Sequence, residues 1–279
     1  MERAATALAL MVALAPLGRA GTASAITVAP HALFIDHRTR STVLYIQNSG
    51  NSPEEVSVQL KFGYPTSDSL GDVHVDLIED PPPGEPSAAA WVRALPARAR
   101  VQPGARQAVR LFARPPSGLP DGEYWSRVIV TSRAAQLPVA AAGNAAAVSV
   151  GLTLEMRTII SLIYRKGKVA TGVRLNGFSA EAHGDTLITD IQLARTGDAA
   201  YLGKLELVLH NAAGDPVDRW EQAIAVYRDL YRRLAFPVDR FEPGRYALHL
   251  RLSAERDDIP PESVLPALVV ERTLELIVH

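Results

Sequence analysis

The chain of 279 residues contains no cysteine. Thiolate nucleophiles, thiolate metal ligands and disulfide staples are therefore excluded, and the fold must rest on its hydrophobic cores. Charge of one sign is also lacking: 29 Lys and Arg face 30 Asp and Glu, with no basic block, so nucleic acid is excluded as a partner. After the N-terminal region no stretch approaches the roughly 18 apolar residues that a membrane helix needs. Signatures of catalysis are missing as well. There is no Gly-x-Ser-x-Gly, no phosphate-cradling loop and no dinucleotide fingerprint. The seven histidines are scattered without a His-x-x-x-His spacing, and His31 and His37 read as surface or turn positions. Asp72, His74 and Asp76 alternate on one strand face, a polar outer face in preference to a weak cation site. Asp257-Asp258 and Glu79-Asp80 sit beside prolines as loop acids, not as an acid/base pair. No catalytic residue, metal site or cofactor is assigned, and the chain reads as a non-enzyme.

What is present begins with a processing signal. Arg3 gives a basic start, Ala4–Leu17 is almost wholly apolar, and Ala23-Ser24-Ala25 offers small residues for cleavage. Residues 1–25 are expected to be a signal peptide of an exported protein, with the mature chain starting near Ile26 and no membrane insertion after cleavage.

The remainder reads as strands and turns. Thr42–Gln47, Val56–Phe62, Gln107–Ala113 and Tyr124–Thr131 alternate, separated by Asn48–Pro53, the proline-rich Asp80–Pro86, Pro103-Gly104 and Pro115–Gly122. After Arg165-Lys166-Gly167-Lys168 the pattern restarts with Thr186–Leu193, Leu205–His210, Arg245–Leu252 and Leu268–Val278. Tyr227–Leu234 is compatible with a short helix. The expectation is an all-β chain of two antiparallel Ig-like sandwiches, 26–166 and 167–279, meeting at the basic segment near 166.

One segment stands apart. In Val148–Tyr164, residues Val148, Val150, Leu152, Leu154, Met156, Ile160, Leu162 and Tyr164 all fall on even positions, broken by Thr158. As one strand it would span on the order of 55 Å, far beyond the usual length. It is either a long core strand, two successive strands, or a strand whose end overhangs its domain with an apolar face and unpaired backbone, open to strand addition. Ser132–Ala147 before it, Ala-rich but holding Pro138 and Gly143, reads as a loop.

Four passages carry a resemblance to the PapD-like periplasmic pilus-assembly chaperones, and that resemblance extends over most of the mature chain. They are Ile26–Pro30, Pro103-Gly104-Ala105-Arg106-Gln107-Ala108-Val109-Arg110-Leu111, Leu119–Ser126, and Ile160–Lys166, where the family commonly has Tyr-Arg-Pro. The resemblance implies two Ig-like domains in a boomerang arrangement. It also implies a last strand of the first domain lent to an incomplete pilus or fimbrial subunit, and delivery to an outer-membrane usher. Val148, Val150, Leu152, Leu154, Met156 and Ile160 would then be the client-binding residues. Burying five of them would contribute at most roughly 8–15 kcal/mol gross, much of it offset by ordering.

This chain also departs from the family. Ala32 and Ser161 stand where the family places an arginine and a lysine that grip the client's terminal carboxylate. Arg38, Arg157, Lys166 and Lys168 are the cations nearest in sequence to replace them. Arg165 matches the family arginine that fixes the domain angle, with Glu123 as its candidate acidic partner. The cleft candidates are thus Ala32, Arg157, Ser161, Arg165, Lys166 and Lys168. Two other readings stand beside this one: an exported carbohydrate- or surface-binding module, and a structural subunit of a surface organelle. Trp91, Trp125 and Trp220 read as core or edge packing in preference to a sugar platform.

Overall fold

The computed structural model describes residues 26–134 and 154–278. The expected signal segment, most of the expected loop, and Val148, Val150 and Leu152 lie outside the described residues. Ser132–Ala134, placed in that loop from sequence, instead finish a strand.

The first half holds ten strands in two sheets. β1 (Ile26–Ala29), β3 (Ser41–Asn48), β8 (Arg106–Ala113) and β6 (Val92–Leu95) form one sheet in the order β1-β3-β8-β6. β2 (Ala32–Asp36), β10 (Glu155–Lys166), β9 (Gly122–Ala134), β4 (Glu54–Ser67) and β5 (Val73–Ile78) follow one another in the second, with β7 (Arg98–Val101) also on β4. β1 and β2 belong to opposite sheets, so the chain crosses between them at Pro30-His31. Alternation along each strand turns one face inward. Leu33, Ile35, Leu44, Ile46, Val109, Leu111, Val128 and Val130 fill the space between the sheets. Three aromatics close one end of that core, Trp91 meeting Tyr164 edge-on at 4.7 Å and Tyr124 at 5.9 Å.

The second half repeats the plan with seven strands. β11 (Thr171–His183), β12 (Thr186–Gly197) and β15 (Asp229–Pro237) form a three-stranded sheet. β14 (Pro216–Val226), β13 (Tyr201–His210), β16 (Gly244–Ser253) and β17 (Val270–Val278) form the facing four-stranded one. Its core centres on Ile191, Leu193, Tyr201, Leu205, Leu250 and Leu252. The fold class read from sequence is observed: two antiparallel β-sandwiches and no α-helix among the described residues.

The short helix read over Tyr227–Leu234 is corrected. Tyr227-Arg228 is a bend and Asp229–Pro237 is a strand paired to Thr186–Ala194. Leu230 and Leu234 are four apart, a spacing that satisfies one helical face and one strand face alike. The neighbouring β12 supplies the ladder that decides between them.

A third apolar cluster, Phe62, Trp125, Ile163, Ala200 and Tyr227, draws from both halves and seals the seam between the sandwiches. Gly167 makes the turn from β10 into β11 at φ +70°, where a side chain would also meet Asp121.

Candidate functional site: a strand edge and an interdomain cleft

The site is built around β10. Along its whole length β10 pairs antiparallel with β9, from Glu155 opposite Arg133 to Lys166 opposite Gly122. On its other side, β2 runs parallel and covers only Ser161–Arg165. Among the described residues the stretch Glu155–Ile160 therefore has a neighbour on one side alone. The His37 N–H donates to the Arg165 carbonyl at 3.0 Å, so Arg165 turns its backbone toward β2. Backbone direction alternates along a strand. Glu155, Arg157 and Ile159 thus direct three N–H and three C=O groups at the open edge, while Met156, Thr158 and Ile160 direct theirs into the β9 ladder. An edge of this kind is a template for another strand.

Along that edge Leu154, Met156 and Ile159 add apolar surface among the polar Glu155, Arg157 and Thr158. Leu154 is 58% exposed and Ile159 is 43% exposed. Met156 is half-buried. Ile160, grouped with them from sequence, is 1% exposed and packs in the first sandwich core with Leu162 and Tyr164. The same even-numbered face that overhangs at Leu154 turns into the core by Ile160, which removes Ile160 from the exposed set. Ile159 lies on the opposite face and is absent from the even-numbered pattern, so sequence alternation gave no signal for it.

Farther along β10 the strand enters the seam with the second sandwich. Ala32 and Ser161, the two positions singled out from sequence, are cross-strand partners. The row continues through Arg127 on β9 and Lys61 on β4. Neither Ala32 nor Ser161 is a cation, but Arg127 beside them is. Arg127 is only 5% exposed, its Nε donates to the Gly63 carbonyl at 3.0 Å, and its Nη2 has no partner. Its guanidinium lies 4.9 Å from the centre of the Tyr227 ring, and the Tyr227 hydroxyl hydrogen-bonds the Ser161 hydroxyl at 2.8 Å. Lys61 is engaged with Glu79 at 2.6 Å. Arg127 was not singled out from sequence because its neighbours in the row are distant along the chain; only the strand register brings them together.

The four replacement cations considered from sequence lie elsewhere. Arg157 pairs with its exposed strand neighbour Glu155 at 2.9 Å, and Arg38 pairs with Asp36 at 3.2 Å. Lys166 reaches Asp121 at 3.3 Å and the Leu119 carbonyl, and Lys168 is exposed. None of these four joins the row that holds Ala32 and Ser161.

Arg165 does meet Glu123. Its Nε donates to Glu123 Oε2 at 2.9 Å, and the Glu123 side chain is fully buried. Glu123 Oε1 accepts from the Trp125 indole at 2.8 Å and from the Ala200 N–H of the second sandwich at 2.9 Å. Arg165 Nη1 donates to the Ser263 carbonyl, also in the second half. A buried carboxylate with donors from both sides is well solvated by the protein, which is the condition for keeping such a pair.

A second brace crosses the seam. The β4–β5 hairpin places the Ser67 hydroxyl where it accepts the Tyr231 N–H at 2.8 Å, and the Gly71 carbonyl accepts from Arg232 Nη1 at 2.9 Å. Burial holds the Arg232 guanidinium below its ordinary pKa, with Asp72 opposing that shift. Glu85 pairs with Arg228 across the same seam.

The tryptophans sit in packing positions: Trp125 is 2% exposed, Trp91 lies on Tyr164, and Trp220 meets Phe236 edge-on at 5.7 Å. His74 and Asp76 approach to 3.3 Å with Thr66 beside them, an outer-face polar group on the hairpin.

No family model matches the chain, and no curated protein matches it in sequence. Solved structures similar to it include the YadV chaperone, 16% identical over 90% of this chain and 99% of that one, with a TM-score of 0.43. Another is the CsuC–CsuE chaperone–tip subunit pre-assembly complex of Acinetobacter baumannii, 14% identical over 91% and 98%, TM-score 0.43. A third is the Salmonella enterica SafA pilin in complex with the SafB chaperone, 13% identical over 91% and 99%, TM-score 0.42. Likeness at this level adds nothing to the chemistry of the site, which rests on the open edge of β10 and the row at Arg127.

Proposed function

We propose that this protein is a periplasmic, non-enzymatic chaperone that holds pilus or fimbrial subunits by lending them the open edge of β10. The observation that carries the reading is the stretch Glu155–Ile160, which among the described residues has β9 on one side only and carries the exposed Leu154 and Ile159. A subunit lacking one strand exposes an apolar groove, and an extended edge answers it with backbone hydrogen bonds and alternating side chains. Val148, Val150 and Leu152 would extend the donor face beyond Leu154 and Met156, and Ile160 anchors the strand in its own core. The signal segment 1–25 would bring the chain to the periplasm, and an outer-membrane usher would receive the loaded subunit. The two modules, 26–166 and 167–279, would hold a fixed angle through Glu123 and Arg165.

Arg127 takes the anchoring role that Ala32 and Ser161 cannot. Its Nη2 is buried and unpartnered among the described residues, and its guanidinium faces the ring of Tyr227, whose hydroxyl bonds that of Ser161; a client's terminal carboxylate entering this row would supply the missing acceptor. A client peptide ending in a free acid is expected to bind more tightly than the same peptide amidated, and Arg127→Met should erase that difference. An unchanged difference would remove Arg127 from this role.

The direct test is native mass analysis of the mature protein isolated from a periplasm that also expresses its neighbouring gene products. A 1:1 complex with a small β-rich protein, lost in Leu154→Arg or Met156→Asp while both variants stay folded, is the expected result. A bare monomer in every case would overturn strand lending. The carbohydrate-binding reading is weakened because all three tryptophans are packed against protein.

A further inference from the structure

The charges of the first sandwich are segregated along the chain. Residues 62–85 hold six acids, Asp68, Asp72, Asp76, Glu79, Asp80 and Glu85, and no lysine or arginine. Residues 86–120 hold six arginines, Arg93, Arg98, Arg100, Arg106, Arg110 and Arg114, and no acid. A balanced net charge conceals this, because each run offsets the other.

Strand register gathers three of those arginines on one surface. On the outward face of the sheet β1-β3-β8-β6, Leu95 lies opposite Arg110 and Arg93 opposite Phe112, while Tyr45 lies opposite Ala108, next along β8 to Arg106 on that face. No acid stands at any outward position of these four strands. Arg106 lies over the Tyr45 ring at 3.7 Å and Arg110 over the Phe112 ring at 5.7 Å. Among the described residues neither guanidinium makes a hydrogen bond, and none of the three arginines has a carboxylate partner. Leu95 is 65% exposed and Tyr45 37%. Stacking on a ring orients a guanidinium and leaves its N–H fork unspent, ready for a carboxylate.

We infer that this face is a docking surface for the acidic face of a partner protein, separate from the strand edge and independent of the proposed chaperone role. Charge complementarity selects the partner: three cations without acids call for carboxylates. Arginine stacked on tyrosine is a pairing of the residue types enriched in protein interface cores. A pleated face about 15 Å across, whose outward side chains stand on strands, fits a folded surface better than a lipid bilayer, which is entered by apolar helices or loops.

The test uses the mature full chain and poly-L-glutamate as the acidic polypeptide probe, followed by calorimetry at low and high salt. Vesicles of phosphatidylglycerol form the second arm. The variants are Arg93→Glu/Arg106→Glu/Arg110→Glu and, as a control on the other sheet, Arg98→Glu/Arg100→Glu, each checked for retained fold by circular dichroism. Salt-sensitive binding to poly-glutamate that falls by about tenfold or more in the triple variant and little in the control is expected. Equal loss in both variants, no binding at low salt, or binding to vesicles alone would overturn the proposal. So would salt-sensitive self-association, lost in the triple variant, in place of probe binding. If the triple variant unfolds, Arg106→Gln alone supplies the same comparison.

Discussion

Glu123 gathers three donors, the Arg165 guanidinium, the Trp125 indole and the Ala200 amide, from both halves of the chain. Removing one partner of a buried ion pair leaves the other charge without its counterpart, which costs about 3–5 kcal/mol. Glu123→Ala should lower stability by that amount in urea unfolding, and Glu123→Gln by less, because an amide still accepts from Trp125 or Ala200. A loss below about 1 kcal/mol would mean that the pair is not the latch described here. Acid sensitivity has a separate origin at this scale. Hydrogen bonds from Arg233 and Tyr231 hold Asp190 below its ordinary value of 3.8, and Arg256 does the same for Asp258. For such groups the stabilisation is complete above the unfolded value and drains away as pH falls through the lower folded value. Stability should therefore decline as pH drops below about 4, and Asp190→Asn should flatten part of that decline in pH-dependent melting.

At the scale of the element, β10 changes character along its length. Near Ile160 its even face is core; near Leu154 the same face is exposed. Ile160→Ala should cost about 2–5 kcal/mol, as other buried large-to-small changes do. Ile159→Ser, on the exposed odd face, should stay within about 1 kcal/mol. If the two costs came out alike in chemical unfolding, the facing of the strand would be wrong. This strand also shows what the sequence could disclose. Alternation identified it, and the two β-sandwiches follow from turn chemistry and periodicity alone. Where the even face passes from exposed to core was not legible, because that depends on where β2 begins to pair. Likewise Arg127 joins Ser161 only through register, and the β15 strand could be taken for a helix because Leu230 and Leu234 suit either period. Glu123 and Arg165, by contrast, could be paired from sequence because the family resemblance supplied their roles.

At the scale of the whole molecule, two struts tie the sandwiches together: the Glu123–Arg165 centre, and the β4–β5 hairpin on β15. A Cβ at Gly71 would lie 2.2 Å from the Arg233 backbone nitrogen, and φ there is +81°. Gly71→Ala should lift the hairpin from β15 and split one calorimetric unfolding transition into two; a single unchanged transition would show that the hairpin is no strut. A held seam keeps β10 and its neighbours in fixed register, so under the proposed function a partner strand would meet a prepared edge. Amide hydrogen exchange along β10, residue by residue, tests this most directly. In the isolated protein the Met156 and Thr158 amides should be protected by β9, and the Glu155, Arg157 and Ile159 amides should exchange fast. On binding a subunit these three should become protected while the other two change little. Rapid exchange at Glu155, Arg157 and Ile159 in the subunit complex would contradict strand lending at this edge.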